Sequence, residues 1–169
     1  MRRILIVGPS GAGKSTLAVA MGRILGLPVI HLDAEHWKPG WVAPPQEEWR
    51  PVVTRLCQKP SWIIDGNFSG SLDIRIPASD TVIFMDFPRY LYIWRVLKRV
   101  WKFRGQVRPD MAPGCPERFD PGFLAWLWRY PRNTRPEMLR KMRAYAGRKK
   151  VVILNNQRET DEFLACIGG

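Results

Sequence analysis

Residues 8–15 read Gly8-Pro9-Ser10-Gly11-Ala12-Gly13-Lys14-Ser15 and match the pattern G-x-x-x-x-G-K-[ST] at every fixed position. The apolar run at residues 3–7 is typical of a buried strand in a parallel sheet. Residues 16–25 predict a helix that ends at Gly26. A strand, a glycine-rich loop and a helix in this order predict a phosphate-binding loop.

The residue types of this loop explain how it would hold a triphosphate. Its glycines allow backbone angles and close approaches that a Cβ would block, so that successive amide groups can point toward an anion. The positive end of the helix that begins near Lys14 adds to this attraction. We expect Lys14 to reach the β- and γ-phosphates of ATP, and the Ser15 hydroxyl to ligate Mg²⁺. The residues predicted to bind ATP are Gly8, Pro9, Ser10, Gly11, Ala12, Gly13, Lys14, Ser15 and Thr16.

The composition is that of a globular protein with one hydrophobic core. The chain has 169 residues, of which 46% are hydrophobic, and we expect residues 1–169 to form a single domain. No apolar stretch approaches the length of a membrane span, so no membrane partner is expected. The three cysteines are scattered and odd in number, which indicates a reducing, cytoplasmic location without a disulfide framework.

The basic charge of the chain is concentrated in one segment. The net charge is +12, and residues 89–150 hold 17 lysines and arginines against four acidic residues, whereas the rest is nearly neutral. Such a segment could bind a phosphate-bearing substrate, bind a nucleic acid or form a solvated basic surface. Composition does not choose among these three interpretations.

Predicted strands and helices alternate along the whole chain. A helix from residue 46 that Pro51 kinks or delays is expected, and a capping box at Thr134 and Glu137 predicts a helix that ends near Gly147. Strands alternating with helices predict a parallel sheet with helices on both faces. The further predicted strands are residues 29–32, 61–64, 81–85 and 151–154.

Three of these strands end in an aspartate: Asp33, Asp65 and Asp86. Ligands of such sheets gather at the carboxyl ends of the strands. We therefore expect Asp65 to hold Mg²⁺ and Asp33 to act in the site, although each aspartate could instead form a turn or a helix cap, and Asp86 is best interpreted as a cap. The rings of His36, Trp37 and Trp41, which follow Asp33, would stack on a base or sugar, or form a small cluster under the loop.

A basic stripe marks the predicted helix after Pro88, and aromatic residues mark another of its faces. Arg95, Lys98, Arg99 and Lys102 are spaced to lie on one side of a helix. The stripe leads into a Pro- and Gly-rich segment with Arg104. Because phosphoryl transfer needs cations, we expect Arg95, Arg99 and Arg104 to act catalytically and residues of about 104–135 to form an arginine-rich lid. The alternative is a solvated helix face.

Together these stretches resemble the nucleotide-kinase-like branch of P-loop NTPases, which includes adenylate and shikimate kinases. More specifically, the chain is similar to the bacterial topology modulation (FlaR-related) proteins. The likeness covers nearly the whole chain and implies a five-stranded parallel sheet in the order 2-3-1-4-5. The stretches that carry the finer likeness are His31-Leu32-Asp33, residues 37–41, residues 62–67, Phe87-Pro88-Arg89 and residues 108–120.

One departure from the adenylate kinase pattern concerns the acceptor. Those kinases follow the Asp-Gly pair with Phe-Pro-Arg, whereas Asn67-Phe68-Ser69 follows here, so the arginine that would grip an acceptor's phosphate is missing. Arg75 could replace it, and Arg132 and Arg135 could contact phosphates. Asn67 itself is a further candidate for contact with the substrate. In relatives that phosphorylate hydroxyl groups, the aspartate at the position of Asp33 holds the acceptor and could take its proton.

Three functional hypotheses follow. The first is an ATP- and Mg²⁺-dependent phosphotransferase whose acceptor is a small molecule, such as a nucleoside, a nucleotide or another hydroxyl or phosphate compound. The second is a nucleic-acid-associated protein that uses ATP as a switch, which the basic segment suggests although no nucleic-acid-binding motif is apparent. The third, a GTPase, is disfavoured because the guanine-binding sequence Asn-Lys-x-Asp does not occur.

Overall fold

The computed structural model describes residues 1–145 and 147–169. A five-stranded parallel sheet in the order β2-β3-β1-β4-β5 lies at its centre, which confirms the predicted sheet and its order. The strands are β1 (Arg3–Val7), β2 (Val29–His31), β3 (Trp62–Asp65), β4 (Thr81–Met85) and β5 (Lys150–Leu154). In the central strand, Leu5 pairs with Ile64 on one side and with Val82 on the other.

Helices cover both faces of this sheet. The α-helices of the described chain are α1 (Lys14–Leu25), α2 (Leu32–His36), α3 (Gln46–Cys57), α4 (Leu72–Ala78), α5 (Arg89–Lys102), α6 (Pro121–Asn133), α7 (Arg135–Arg143) and α8 (Gln157–Gly168). Among the described residues, none of these helices is long and apolar enough to cross a bilayer.

Successive side chains of β1 point to opposite faces of the sheet and therefore belong to two separate cores. Leu5 and Val7 belong to a buried cluster completed by residues of α3, α4 and α7. Ile4 and Ile6 belong to the cluster on the opposite face, which α1 and α8 complete. Because every strand residue from Ile4 to Val7 is buried, the strand has no polar face, as expected for a parallel sheet covered on both sides.

Several local predictions differ from the structure. Helix α3 begins at Gln46 and contains Pro51, so the proline does not delay its start. The capping box at Thr134 does not form: this residue has helical backbone angles and its side chain makes no capping hydrogen bond, because α7 follows α6 almost without a break. The short helices α2 and α4 carry no strong periodic signal and were not predicted.

Candidate active site

The glycine-rich loop between β1 and α1 is closely enclosed by backbone from two other elements. Gly8, Gly11 and Gly13 have φ values of 144°, 82° and 100°, which disfavour any side chain. A Cβ at Gly8 would lie 2.6 Å from the carbonyl oxygen of Met85, and one at Gly11 would lie 2.3 Å from that of Tyr92. Glycine is therefore required here both by conformation and by space.

Lys14 folds back over this loop. Its Nζ donates a hydrogen bond to the carbonyl oxygen of Pro9 at 3.0 Å. Burial lowers the pKa of Lys14, while the carboxylates of Asp33 and Asp65 act against this shift. The amine is thus held at the loop with two carboxylates nearby.

Two cavities meet at the loop. The loop cavity, of about 510 Å³, is lined by residues 10–17 and by side chains of α5 and α8. The aromatic cavity, of about 450 Å³, is lined by residues of the segments around Trp37, Phe68 and Phe123. Both volumes fall in the range of small-molecule sites, about 300–1,000 Å³. The residues that line both cavities are Ser10, Lys14, Asp33, Arg99 and Arg108.

Asp33 lies in the first turn of α2 and faces the junction of the two cavities. Burial raises the pKa of this carboxyl, and the charge of Lys14 partly opposes the rise. A carboxylate with a raised pKa is a better proton acceptor.

Asp65 ends β3 and is buried beside β2. Its Oδ1 lies 2.7 Å from Nδ1 of His31, and this bond raises the pKa of His31. Asp65 is absent from the lining of both cavities, but it is close enough to Lys14 for its charge to oppose the lowering of the pKa of that amine. The sequence did not indicate the partnership with His31.

Two arginines of the predicted basic stripe point at the loop. Arg95 donates to the carbonyl oxygen of Ala12 at 3.2 Å and to Gln157 at 3.1 Å. Arg99 donates to the hydroxyl of Ser10 at 3.2 Å, and burial lowers the pKa of its guanidinium. The remaining members of the stripe, Lys98 and Lys102, are exposed, so the stripe is only partly a solvated face.

The structure places Arg108, and not Arg104, at the junction. Arg104 is exposed and lines neither cavity, although its backbone forms an isolated bridge with that of Glu117. Arg108 lines both cavities and contacts Asp110 and Glu117 at 2.9 and 2.7 Å. Glu117 is buried and also contacts Arg99 at 3.1 Å. The sequence offers no signal that singles out Glu117, because Asp110 and Asp120 lie in the same arginine-rich stretch.

Three further arginines were predicted to bind the substrate, and none of them lines either cavity. They are Arg75, Arg132 and Arg135. Arg75 is fully buried and donates to carbonyl oxygens of residues 66 and 68 and to the hydroxyl of Ser71, so it supports the loop after β3. Arg135 binds the carboxylate of Asp86, with Nε 2.7 Å from Oδ1. This contact also corrects the interpretation of Asp86 as a helix cap. Arg132 is exposed on α6.

The predicted aromatic and amide residues separate into two groups. Trp37 and Asn67 line the aromatic cavity. His36 does not; its ring packs against Trp49 and Phe68 with centroids 4.6 and 4.5 Å away, and burial lowers its pKa. His36 therefore fits the alternative of a small cluster under the loop. Trp41, expected together with Trp37, also lines this cavity. The sequence did not indicate the further lining residues Phe68, Phe123 and Trp126, which the tertiary structure brings together.

No protein-family model and no curated protein matches the chain. Solved structures match it over almost its whole length. Shikimate kinase from Acinetobacter baumannii, in complex with shikimate, has a TM-score of 0.60 at 18% identity, covering 99% of this chain and 90% of that one. A sugar kinase from Janibacter sp. HTCC2649 has a TM-score of 0.56 at 16% identity, with coverages of 98% and 93%. Deoxyadenosine kinase from M. mycoides has a TM-score of 0.54 at 13% identity, with coverages of 97% and 97%.

The chain has the fold of these kinases. This finding confirms the kinase-like fold that the resemblance implies, including the order of the sheet. The likeness to the topology modulation proteins stays a prediction.

Proposed function

We propose that the protein is an ATP- and Mg²⁺-dependent phosphotransferase that acts on a small molecule. The observation that carries the proposal is the junction of the two cavities, where a lysine, a carboxylate and two arginines line both. The loop cavity is the proposed ATP site, and the aromatic cavity is the proposed acceptor site. The names of the structures that share the fold, which are shikimate, sugar and deoxyadenosine kinases, support the same class of reaction.

The proposed reaction is transfer of the γ-phosphoryl group to a hydroxyl. The hydroxyl oxygen bonds to the γ-phosphorus, the bond from that phosphorus to the bridging oxygen breaks, and ADP leaves with the electron pair. Asp33 orients the hydroxyl and accepts its proton, which its raised pKa favours. Lys14, Arg99 and Arg108 neutralise the charge on the equatorial and leaving oxygens.

Residues of the chain fit a magnesium ion bound together with ATP, where it would neutralise the β- and γ-phosphates. Ser15 offers a hydroxyl in the lining of the loop cavity, and Asp65, which is near Lys14 but lines neither cavity, would hold the ion through water. Among the described residues, no group of three His, Cys, Asp or Glu side chains could hold a metal ion. The remaining ligands would be phosphate oxygens and water, which is how Mg²⁺ is commonly bound.

We also propose that the region of about 104–135 acts as a lid, of which the loop before α6 is the part that moves. Leu127 of α6 packs in a buried cluster with Tyr92 and Val96 of α5, so the helical part is anchored. Gly105 has a φ of 71° and open space around it, which suits a hinge. Closure would bring Arg108 against the phosphates and exclude water.

Measurement of ADP release tests the function. The purified chain is given Mg-ATP and a panel of nucleosides, nucleoside monophosphates and sugars. We expect turnover with at least one acceptor and a loss of at least about 100-fold in Lys14→Ala. Lys98→Ala is the matched control, because this exposed lysine lines neither cavity. An absence of ADP above the Lys14→Ala background across the panel would contradict the proposal.

A second candidate function is the binding of nucleic acid. Tyr90, Trp94 and Trp101 are 76%, 57% and 83% exposed on α5, and the ammonium of Lys98 lies 5.1 Å from the Trp94 ring. Exposed rings beside cations suit stacking on single strands. Titration of labelled single-stranded and duplex DNA at rising salt tests this candidate; binding that is lost in Trp101→Ala supports it, and no binding at physiological salt rejects it.

A further inference from the structure

Two pairs of aromatic side chains from distant parts of the chain line the aromatic cavity. Trp37 and Trp41 follow α2, and their ring centroids are 5.5 Å apart. Phe123 and Trp126 lie on α6 and stack with centroids 5.8 Å apart and an interplanar angle of 23°. Aromatic walls of this kind favour a flat, apolar ring over a heavily hydrated ligand.

The backbone of Trp41 has a conformation that residues with a side chain disfavour, and its contacts hold it there. With a φ of 65°, it is the one non-glycine residue of the described chain in the left-handed region. Its indole N–H donates to the carbonyl oxygen of Pro116 at 3.0 Å, and the Arg118 guanidinium lies 5.7 Å from its ring. The adjacent Gly40 donates to the carbonyl oxygen of Gly114 at 2.9 Å. Strain that surrounding contacts enforce in this way is concentrated at ligand sites.

Asn67 provides a polar group in the same lining. Its Oδ1 is buried and has no hydrogen-bond partner. A buried acceptor without a partner is unfavourable unless a ligand or water bonds to it. Because a carboxamide offers both a donor and an acceptor, Asn67 matches the edge of a nitrogen heterocycle.

The charges of the aromatic cavity disfavour an anionic acceptor. Lys14, Arg99 and Arg108 are shared with the loop cavity, where the proposed function assigns them to ATP. In the rest of the lining Arg118 is the only cation; it is exposed and lies over Trp41. The lining also contains the carboxylates of Asp120 and of Glu117, of which Glu117 is paired with Arg99 and Arg108. Away from the junction, Arg118 is therefore balanced by Asp120, and a phosphate or carboxylate on the acceptor would meet no net positive charge.

We infer that the acceptor is an uncharged alcohol that carries a planar aromatic or heteroaromatic ring, as a nucleoside does. This inference rests on the proposed function and specifies its acceptor. The ring lies against the aromatic walls, its edge bonds to Asn67, and its hydroxyl reaches Asp33 at the junction. The transferred phosphoryl group and the proton then follow the balanced step given above.

Matched acceptors test the inference. ADP release from Mg-ATP is measured with adenosine, cytidine and thymidine, with their 5′-monophosphates, and with ribose, gluconate and shikimate. We expect kcat/KM to be at least about tenfold higher for one of the nucleosides than for ribose, which lacks the ring. We expect the same nucleoside to exceed its monophosphate, which adds only charge.

A pair of variants on one helix tests the wall. Trp126 and Trp128 are both exposed in part, 40% and 57%, but only Trp126 lines the cavity. Trp126→Ala should raise KM for the nucleoside about tenfold and leave KM for ATP unchanged, because one stacking surface is lost. Trp128→Ala should match the wild type. Thermal unfolding of both variants verifies that they are folded, and equal KM values in the two variants would overturn the inference.

The outcomes separate the inference from the proposed function. Turnover of shikimate, gluconate, ribose or a monophosphate without turnover of any nucleoside overturns the inference and leaves the phosphotransferase standing. Saturable quenching of tryptophan fluorescence by a nucleoside, without ADP release above the Lys14→Ala background, supports a ring-binding site and overturns the phosphotransferase. If no ring-bearing alcohol quenches the fluorescence or is turned over, the inference is overturned.

Discussion

Replacing Glu117 with glutamine is expected to destabilise the ligand-free protein strongly. The Glu117 side chain is 4% exposed, and its oxygens lie 3.1 Å from Nη2 of Arg99 and 2.7 Å from Nε of Arg108. Both arginines line both cavities, so this one carboxylate neutralises the cations that we propose to bind phosphates. Glutamine keeps the size of the side chain but removes its charge.

The magnitude follows from the burial of the three side chains. Removing one partner of a buried ion pair costs about 3–5 kcal/mol. Arg99 is 21% exposed and Arg108 is 10% exposed, and Arg108 keeps its contact with Asp110, so we expect a loss near the lower end, about 3 kcal/mol. In a chain of this length 1 kcal/mol corresponds to about 2–4 °C, so Tm should fall by about 6–12 °C.

Urea unfolding followed by circular dichroism at pH 7 measures this loss. Glu48→Gln is the control, because Glu48 and its partner Lys38 are 61% and 58% exposed and their pair should contribute less than about 1 kcal/mol. Saturating ATP should stabilise Glu117→Gln more than the wild type, since phosphates would replace the missing carboxylate. A loss of stability in Glu117→Gln no larger than that in Glu48→Gln would show that Glu117 does not neutralise the two arginines.

Three further predictions concern the loop and its supports. Gly11→Ala should abolish ATP binding in calorimetry, because its Cβ would lie 2.3 Å from a backbone oxygen of α5. Gly26→Ala is the control, because Gly26 has a φ of 64° and nothing within 4 Å of an added Cβ. This variant should bind ATP normally and lose only about 1–2 kcal/mol of unfolding free energy. Arg75→Met should lower the free energy of unfolding in urea by about 2–3 kcal/mol, since buried carbonyl oxygens lose their donors. If this variant instead keeps its stability and changes the KM of the acceptor, Arg75 has the role in substrate binding that the sequence predicts. The hydrogen bond to Asp65 raises the pKa of His31 in the folded protein. The stabilisation that this bond provides is therefore complete below about pH 6.5, the pKa of histidine in the unfolded chain, and is lost as the pH rises through the higher pKa of the folded state. The Tm deficit of His31→Gln should therefore be larger at pH 5.5 than at pH 8.5, and a deficit that grows with pH would contradict this assignment.

The strands were predictable because their signal is local. Strands β1 and β4 have the bounds expected from their sequences, because the four residues that follow Arg3 and the four that follow Thr81 form continuous apolar runs. The short helices α2 and α4 escaped prediction because five and seven residues are too few to show a helical period. The absent capping box at Thr134 shows tertiary packing overriding a local motif, since α6 already directs the chain into α7.

The candidate site was predictable only in part. Lys14, Asp33 and Arg99 were expected, and the structure brings them to one junction. The arginines were harder to assign, because all are chemically alike and the sequence does not show which neighbouring group each one contacts. Arg75 meets carbonyl groups and Arg108 meets a buried carboxylate, and neither outcome has a signature at the residue itself.

The glycine-rich loop, the strand before it and the helix after it follow from local sequence, because these features depend on residues that are neighbours in the chain. Long-range packing determines which cations face the loop, that Glu117 contacts two of them, and that Trp37 and Trp126 share a cavity. Those relations join residues up to about ninety positions apart, such as Ser10 and Arg99, and depend on how helices and loops are placed around the sheet. The physical reason is that backbone conformation follows from local sterics, whereas burial and charge pairing follow from the packing of the whole chain.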